Sequence, residues 1–406
     1  MKSKMIPVTL FAATAATVVL YPAYDGIGAI TKPPSDPVTV VLPAIDPVTN
    51  QRPLIEVVFA LDTTGSMSNL IEAAKEKIWS IATTMAQAEN APRIRMGLVA
   101  YRDRGDSYVT RVVDLSADLD SMYATLMDFE AGGGGDGPES VNQALHDAVN
   151  GISWSQEGQA YQVIFLVGDA PPHMDYQDDV KYPDTLVAAK NKGIVVNTIQ
   201  AGASGVTRKQ WKRIAALGTG DYFRVDQSGN AVAIATPFDR KMAELSAKLD
   251  DTRLYYGTEK TRLEKETKVK ATEKLHAEAS VESRARRAAF NASTSGKENL
   301  FGDDELVDAV GSGRVDLDEL DGKLLPEPLQ AMVPEERKAV VNEKAKRRNV
   351  LRQEMAEVTQ QRKDYLSKKV EELGGARDSL DHKIYRAVRE QAAASGLTYE
   401  AEAPAY

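Results

Sequence analysis

The sequence has no cysteine, only four histidines and no surplus of positive charge. Without thiols there can be no disulfides, thiolate zinc sites, iron–sulfur clusters, cysteine nucleophiles or lipid-modified N-terminal cysteine. The histidines (His146, His173, His276 and His382) are widely spread, and no pair has the spacing of a zinc-binding helix. A metal bound here would therefore be a hard one held by oxygen. The 59 acidic residues outnumber the 50 basic ones, for a net charge of −9. That balance excludes a general nucleic-acid binder, which needs an excess of Lys and Arg. Long apolar runs are also scarce: after the first 24 residues no segment is long and apolar enough to span a bilayer.

What is present suits a globular protein. Apolar residues make up 43% and charged residues 27%, which rules out disorder throughout. A length of 406 residues exceeds the roughly 250–300 at which one core stops growing, so more than one folded region is expected.

Lys2 and Lys4 precede an apolar run from Met5 to Ala23. Residues 1–24 therefore read as a signal peptide or N-terminal anchor, with the body of the protein extracytoplasmic: secreted, periplasmic or at the surface. Tyr21 and Pro22 make a poor cleavage site, which leaves anchorage by residues 5–23 open. Residues 25–52 hold Pro33, Pro34, Pro37, Pro43 and Pro47 and read as a linker.

Residues 53–239 read as one α/β domain. Leu54 to Leu61, Tyr161 to Gly168 and Gly193 to Ile199 are apolar runs of the kind found in strands buried on both faces. Arg93 to Tyr101, Tyr108 to Leu115 and Tyr222 to Val225 are further strands. Ile71, Ala74, Ile78, Ile81 and Met85 mark the apolar face of a helix. Helices are also expected at Asp118–Phe129, up to Val149, at Asp184–Lys192 and at Arg208–Leu217. Alternating strands and helices predict a doubly wound, mostly parallel, Rossmann-like sheet covered on both faces.

After Asp239 the composition turns to Ala, Glu, Lys and Arg. Residues 240–300 read as a charged helical segment, 301–334 as an acidic linker, 335–395 as a C-terminal helical region and 396–406 as a tail. Leu351, Met355, Val358 and Tyr365 partly fit a heptad, but Lys344, Arg348 and Arg362 fall on the same seam. A coiled coil that drives self-association is left open.

Three loops carry chemistry, because ligands in such sheets bind beyond the carboxyl ends of the strands. The first, Asp62-Thr63-Thr64-Gly65-Ser66, can converge one carboxylate and two hydroxyls on a point, or can simply cap a helix. The second, Gly132 to Glu139, satisfies G-x-G-x-x-G but does not directly follow a strand. It has Pro138 and Glu139 where a phosphate loop has Lys and Ser/Thr, so nucleotide binding is rejected. Pro138 and Glu139 suit the first helical turn, and Asp136 is either a turn-former or a metal-facing oxygen. The third, Gly168-Asp169-Ala170-Pro171-Pro172-His173, puts Asp169 at the end of an apolar strand, where an ionised carboxylate needs a partner. His173 reads as a surface or partner-facing residue.

Asp62-Thr63-Thr64-Gly65-Ser66-Met67, Gly133 to Glu139 and Val167 to His173 together resemble the metal-ion-dependent adhesion site (MIDAS) of von Willebrand factor A (vWA) domains, with its D-x-S/T-x-S signature. The resemblance covers about Pro53 to Val225 and not the tail. It implies that Thr64 and Ser66 bind a metal directly and that Asp62 acts through water. Asp136 stands where the family often has Thr, and Asp169 supplies the third loop. The implied metal set is thus Asp62, Thr64, Ser66, Asp136 and Asp169, holding Mg²⁺ (or Mn²⁺ or Ca²⁺). A partner protein's carboxylate would complete the coordination.

The expected function is adhesion-type binding of a protein ligand, with the helical tail for presentation or assembly. The alternatives are a scaffold assembling through that tail and, with less support, a metal-dependent enzyme. No catalytic residue is assigned and no nucleic-acid partner is expected. Arg104-Gly105-Asp106 reads as a surface turn, and Trp154 and Trp211 as packing residues. Asp303, Asp304, Asp316, Asp318 and Asp321 lack the spacing of a calcium loop.

Overall fold

Leu54–Asp62 is buried at all nine positions and forms the centre of the sheet. The computed structural model describes residues 38–40, 52–69, 71–135, 137–156, 160–225, 234–372 and 379–400. The N-terminal segment 1–24, nearly all of the linker and Asp136 lie outside these residues. Strands β1 (Val38–Val40), β2 (Leu54–Asp62), β3 (Arg93–Tyr101), β4 (Thr110–Ser116), β5 (Tyr161–Gly168), β6 (Ile194–Ala201) and β7 (Thr219–Val225) line up in the order β1-β4-β3-β2-β5-β6-β7. The β3–β4 pair is antiparallel and every other pair is parallel. From β2 the chain goes to β3 on one side and returns to β5 on the other. The switch point of this doubly wound sheet is thus between β2 and β5.

Within the sheet region the helices are α1 (Ile71–Ala86), α2 (Leu119–Met127), α3 (Val141–Asn150), α4 (Tyr182–Asn191) and α5 (Gly205–Leu217). Side chains alternate along a strand, so β2 feeds two cores. Val58 and Ala60 pack with Val141, Leu145, Leu186, Trp211 and Ile214 of α3, α4 and α5. Ile55, Val57, Phe59 and Leu61 face the other way, towards Ile78 and Trp79 of α1 and Met122 of α2.

The second face is not closed by the domain itself. The tail forms α6 (Asp239–Asp250), α7 (Glu259–Glu278), α8 (Val281–Ala292), α9 (Lys297–Phe301), α10 (Leu306–Gly311), α11 (Glu327–Gln330), α12 (Pro334–Glu372) and α13 (Leu380–Ala392). Leu275 of α7, Phe290 of α8 and Ile384 and Val388 of α13 complete that core. Phe290 lies 5.8 Å from Trp79, and Lys77 of α1 pairs with Asp381 at 2.8 Å. The tail is therefore folded onto the sheet and is not a separate stalk.

Two features depart from the sequence reading. Residues 301–334 are folded, not a linker: Leu306, Leu317, Leu325 and Leu329 bury a small core with Val341 of α12. The α12 seam is satisfied inside the chain. Leu351 and Met355 pack against Met242, Leu245 and Leu249 of α6 and Ala285 and Ala288 of α8. Arg348 is paired with Glu305 at 2.8 Å, and Arg362 with Asp239 at 2.8 Å. Two of the three charges that broke the heptad, Arg348 and Arg362, are therefore buried ion-pair partners, while Lys344 donates to the Asp251 carbonyl at 2.9 Å. Among the described residues, no helix is long and apolar enough to cross a membrane.

Candidate metal centre

Asp62 ends β2, and a polar loop follows at once. Its Oδ1 accepts from the Thr64 backbone N–H at 2.9 Å and the Thr64 hydroxyl at 2.6 Å. The Thr64 and Ser66 hydroxyl oxygens are 3.2 Å apart, and Ser66 donates to Asp169 Oδ1 at 2.9 Å. Four of the five predicted residues, Asp62, Thr64, Ser66 and Asp169, are thus brought together across the switch point as two hydrogen-bonded pairs whose hydroxyl oxygens face each other. The fifth, Asp136, lies outside the described residues. The Thr64 and Ser66 protons point at carboxylates, so lone pairs remain on both oxygens. Asp62 and Thr64 are buried while Ser66 is exposed, so the cluster is closed below and open to solvent above.

Backbone hydrogen bonds hold the three loops to each other. Gly132 N–H donates to Thr63 O at 3.0 Å and Gly65 N–H to Gly133 O at 3.1 Å. A methyl on Gly65 would stand 2.9 Å from that same oxygen. Gly133 and Gly134 have φ of +76° and +75°, a region that favours glycine. Glu139 N–H donates to Pro171 O at 2.9 Å, and His173 N–H returns to Glu139 O at 3.1 Å. Thr207 and Trp211 of α5 anchor the Asp169 and Ala170 carbonyls, each at 3.0 Å.

Two residues join the site that sequence reasoning did not assign to it. Glu139 is buried, and its Oε2 has no hydrogen-bond partner. Its other oxygen and Thr64 both approach Gly134, at 3.1 and 3.4 Å from where a Cβ would be. Pro138 and Glu139 do not open the helix as expected. Helix α3 starts at Val141, and Glu139 makes an isolated parallel bridge with Pro172 that keeps its backbone outside the helix. Asp106, in the Arg-Gly-Asp turn, accepts the Gly134 N–H at 2.9 Å and so positions the glycine loop. Arg104 of that turn is held by Asp178 and Asp179 and lies over Tyr176.

His173 is buried, against expectation: it stacks on Tyr176 at 4.0 Å and pairs with Asp175 at 2.8 Å. It stiffens the third loop and does not face outward. Trp154 and Trp211 are packing residues, as read.

The electrostatics are those of crowded anions. Burial pushes Asp62 up to about 7, its bonds from Thr64 oppose this, and the Asp169 charge adds to it. Burial, with Asp62, Asp103, Asp106 and Asp169 around it, pushes Glu139 up to about 9. Asp169 is raised by burial, against its bond from Ser66. Asp62 Oδ2 is buried without a partner. Among the described residues, no three His, Asp or Glu side chains form a metal cage by themselves. The donor set is mixed carboxylate and hydroxyl, all oxygen, which is the chemistry of a hard divalent cation.

These shifts fix a sign. A carboxyl whose value is raised in the fold weakens stability as pH climbs from its unfolded value to its folded one. Without divalent ions, Glu139→Gln should match wild type in melting temperature near pH 4.5 and exceed it increasingly towards pH 9. A gap that stayed constant across this range in thermal melts would contradict the assignment.

The family description "von Willebrand factor A domain" matches residues 56–236. An ariadne-like RING finger protein of Acanthamoeba polyphaga mimivirus is 23% identical over 124 residues, which is 30% of this chain and 12% of that protein. Among solved structures, a von Willebrand factor type A protein from Catenulispora acidiphila aligns over 44% of this chain and 41% of its own, with 17% identity and a TM-score of 0.34. Proximal thread matrix protein 1 of the mussel byssus aligns over 43% of this chain and 42% of its own (12% identity, TM-score 0.35). The pilus adhesin SpaC of Lactobacillus rhamnosus GG aligns over 47% of this chain and 30% of its own (16% identity, TM-score 0.35). The chain thus spans 12% of the mimiviral protein's length and well under half of each solved chain. The mostly parallel sheet flanked by helices, with β3–β4 its one antiparallel pair, agrees with the family match. Residues 56–236 are a von Willebrand factor A domain.

Proposed function

We propose that this domain binds a protein ligand through a divalent cation, Mg²⁺ or in its place Mn²⁺ or Ca²⁺. One observation carries the reading: the hydrogen-bonded pairs Asp62–Thr64 and Ser66–Asp169 bring their hydroxyl oxygens within 3.2 Å of each other, open to solvent at Ser66, while the buried oxygens Asp62 Oδ2 and Glu139 Oε2 lack partners. Thr64, Ser66, Asp169 and Glu139 would hold the cation, with Asp62 behind them and Asp136 a further candidate. Bound there, the cation supplies positive charge and a free coordination position for a partner's carboxylate. The chain's own part is to fix the oxygens in advance. Asp62 orients the Thr64 hydroxyl, and α5 anchors Asp169 through its carbonyl. The basic and apolar start of the sequence supports placing the domain outside the cytoplasm.

The test is calorimetric titration of the full chain with Mn²⁺ and Mg²⁺, followed by retention of partner proteins from envelope extracts with and without EDTA. Asp169→Ala should weaken cation uptake by at least about 10–100-fold, the effect that even outer-sphere partners have. It should release the retained partner as EDTA does. Equal uptake by wild type and variant, or none at millimolar cation, would refute the reading.

A further inference from the structure

Away from the sheet edge, the tail encloses a cavity of about 340 Å³ between α6, α8, α9 and α12. Its walls include Leu249, Ala288, Phe301 and Met355, all buried. Ser246, Asn291, Ser293, Thr294, Lys297 and Arg352 make up its polar part, and two of these bear on what it could hold. Arg352 is half-buried, with its guanidinium 4.9 Å from the centre of the Phe301 ring. Its neighbour Arg348 has Glu305 as a buried partner, and Lys297 pairs with Asp308 at 3.2 Å. Arg352 has no ion pair or hydrogen bond among the described residues. Burial and the Arg348 charge lower its proton affinity, and the charges of Asp308 and Glu305, both committed to other cations, offset only part of this.

The second group is Asn291, 6% exposed, whose Nδ2 has no partner. Its orientation is set by a relay from the vWA domain. The Leu119 N–H donates to Asn299 Oδ1 at 2.8 Å, so Asn299 must present its Nδ2 to Asn291 Oδ1, also at 2.8 Å. Asn291 is left with an N–H₂ donor and nothing in the chain to receive it. A buried donor without an acceptor is costly, and a guanidinium is shaped to meet a carboxylate in a fork.

We infer that this cavity is a binding site for a small amphipathic monocarboxylate, its anionic head on Arg352 and Asn291 and its apolar body against Leu249, Ala288 and Met355. The volume is within the roughly 300–1,000 Å³ range of small-molecule sites. Arg352 without a paired anion calls for a single negative charge, and a guanidinium at the head disfavours a cationic ligand of the same length.

Octanoate serves as the probe, with octylammonium of the same chain length as control, both titrated calorimetrically into the full-length protein. Octanoate should bind and octylammonium should not. Arg352→Gln should weaken octanoate about tenfold or more, and Asn291→Asp, which replaces the donor with a like charge, should weaken it too. Asp169→Ala should leave octanoate binding unchanged, which separates this site from the proposed cation site. Circular dichroism shows whether each variant is folded. No octanoate binding, equal binding of both probes, or undiminished binding by folded Arg352→Gln would overturn the inference.

Discussion

Replacing Arg287 with methionine is expected to lower the unfolding free energy by about 3–5 kcal/mol, the usual effect of stranding a buried charge. Arg287 is 1% exposed and forks onto both oxygens of Asp120 at 2.6 Å. It also reaches Asp250 at 2.8 Å and the Ser246 hydroxyl at 2.8 Å. Asp120 belongs to α2 of the vWA domain, and Asp250 to α6 of the tail. Burial alone would raise both carboxyls. The guanidinium charge outweighs it, with help from Lys268 at Asp120 and Arg253 at Asp250. Asp120 is therefore held well below the usual carboxylate range, and Asp250 at about 2. Methionine would leave two buried anions with weaker partners. Depressed carboxyls contribute stability above their unfolded value near 3.8 and lose it as pH falls through their folded values. The gap between wild type and variant should thus be full at pH 7 and narrow below about pH 4. Urea unfolding at both pH values checks this, and a gap under about 1 kcal/mol at pH 7 would fall well short of what stranding a buried charge costs and would contradict the account. Arg287→Lys keeps the charge but not the fork, and should lie between the two.

The second large effect is expected at Gly168, the last residue of β5. A methyl there would stand 2.8 Å from Asp62 Cβ and 2.9 Å from its Oδ2, and closer still to the Tyr101 hydroxyl. Asp62 and Tyr101 are fully buried on central strands and have little room to retreat. Overpacking of this kind costs about 1–3 kcal/mol or more, and here it also displaces the residue that orients Thr64. Gly168→Ala should therefore lose stability and cation uptake together. Gly135→Ala and Gly137→Ala are the controls, because nothing lies within 4 Å of a methyl at either position. Thermal melts and Mn²⁺ titration read both properties. A Gly168→Ala protein that melts with wild type would show that Tyr101 and Asp62 can yield.

The sheet was legible because its strands announce themselves. The runs at 54–62, 93–101 and 161–168 are long, apolar and bounded by polar turns, so period and burial agree. The site was legible as a constellation, since strand ends in such a sheet bring Asp62 and Asp169 to neighbouring positions. Glu139 was not, because after a proline its local signature equals that of an ordinary helix start. Only the bridge to Pro172 separates the two. His173 escaped for a similar reason: its burial depends on Tyr176 stacking over it. The tail was harder to read. Arg348 and Arg362 fell on the heptad seam and counted against it, yet each is buried against an acid distant in sequence, as is Arg287. Composition records how many charges a helix carries, not which of them find partners.

The shared core makes the homologous unit and the cooperative unit different objects. A fragment cut at residue 236 would keep every strand and every loop of the proposed cation site. It would lack Leu275, Phe290, Ile384 and Val388, leaving Trp79 and its neighbours bare to water, and Asp120 would have no guanidinium. Such a fragment would clump before it could adhere to anything. Transplanting this domain into another protein would therefore require its helical roof to travel with it.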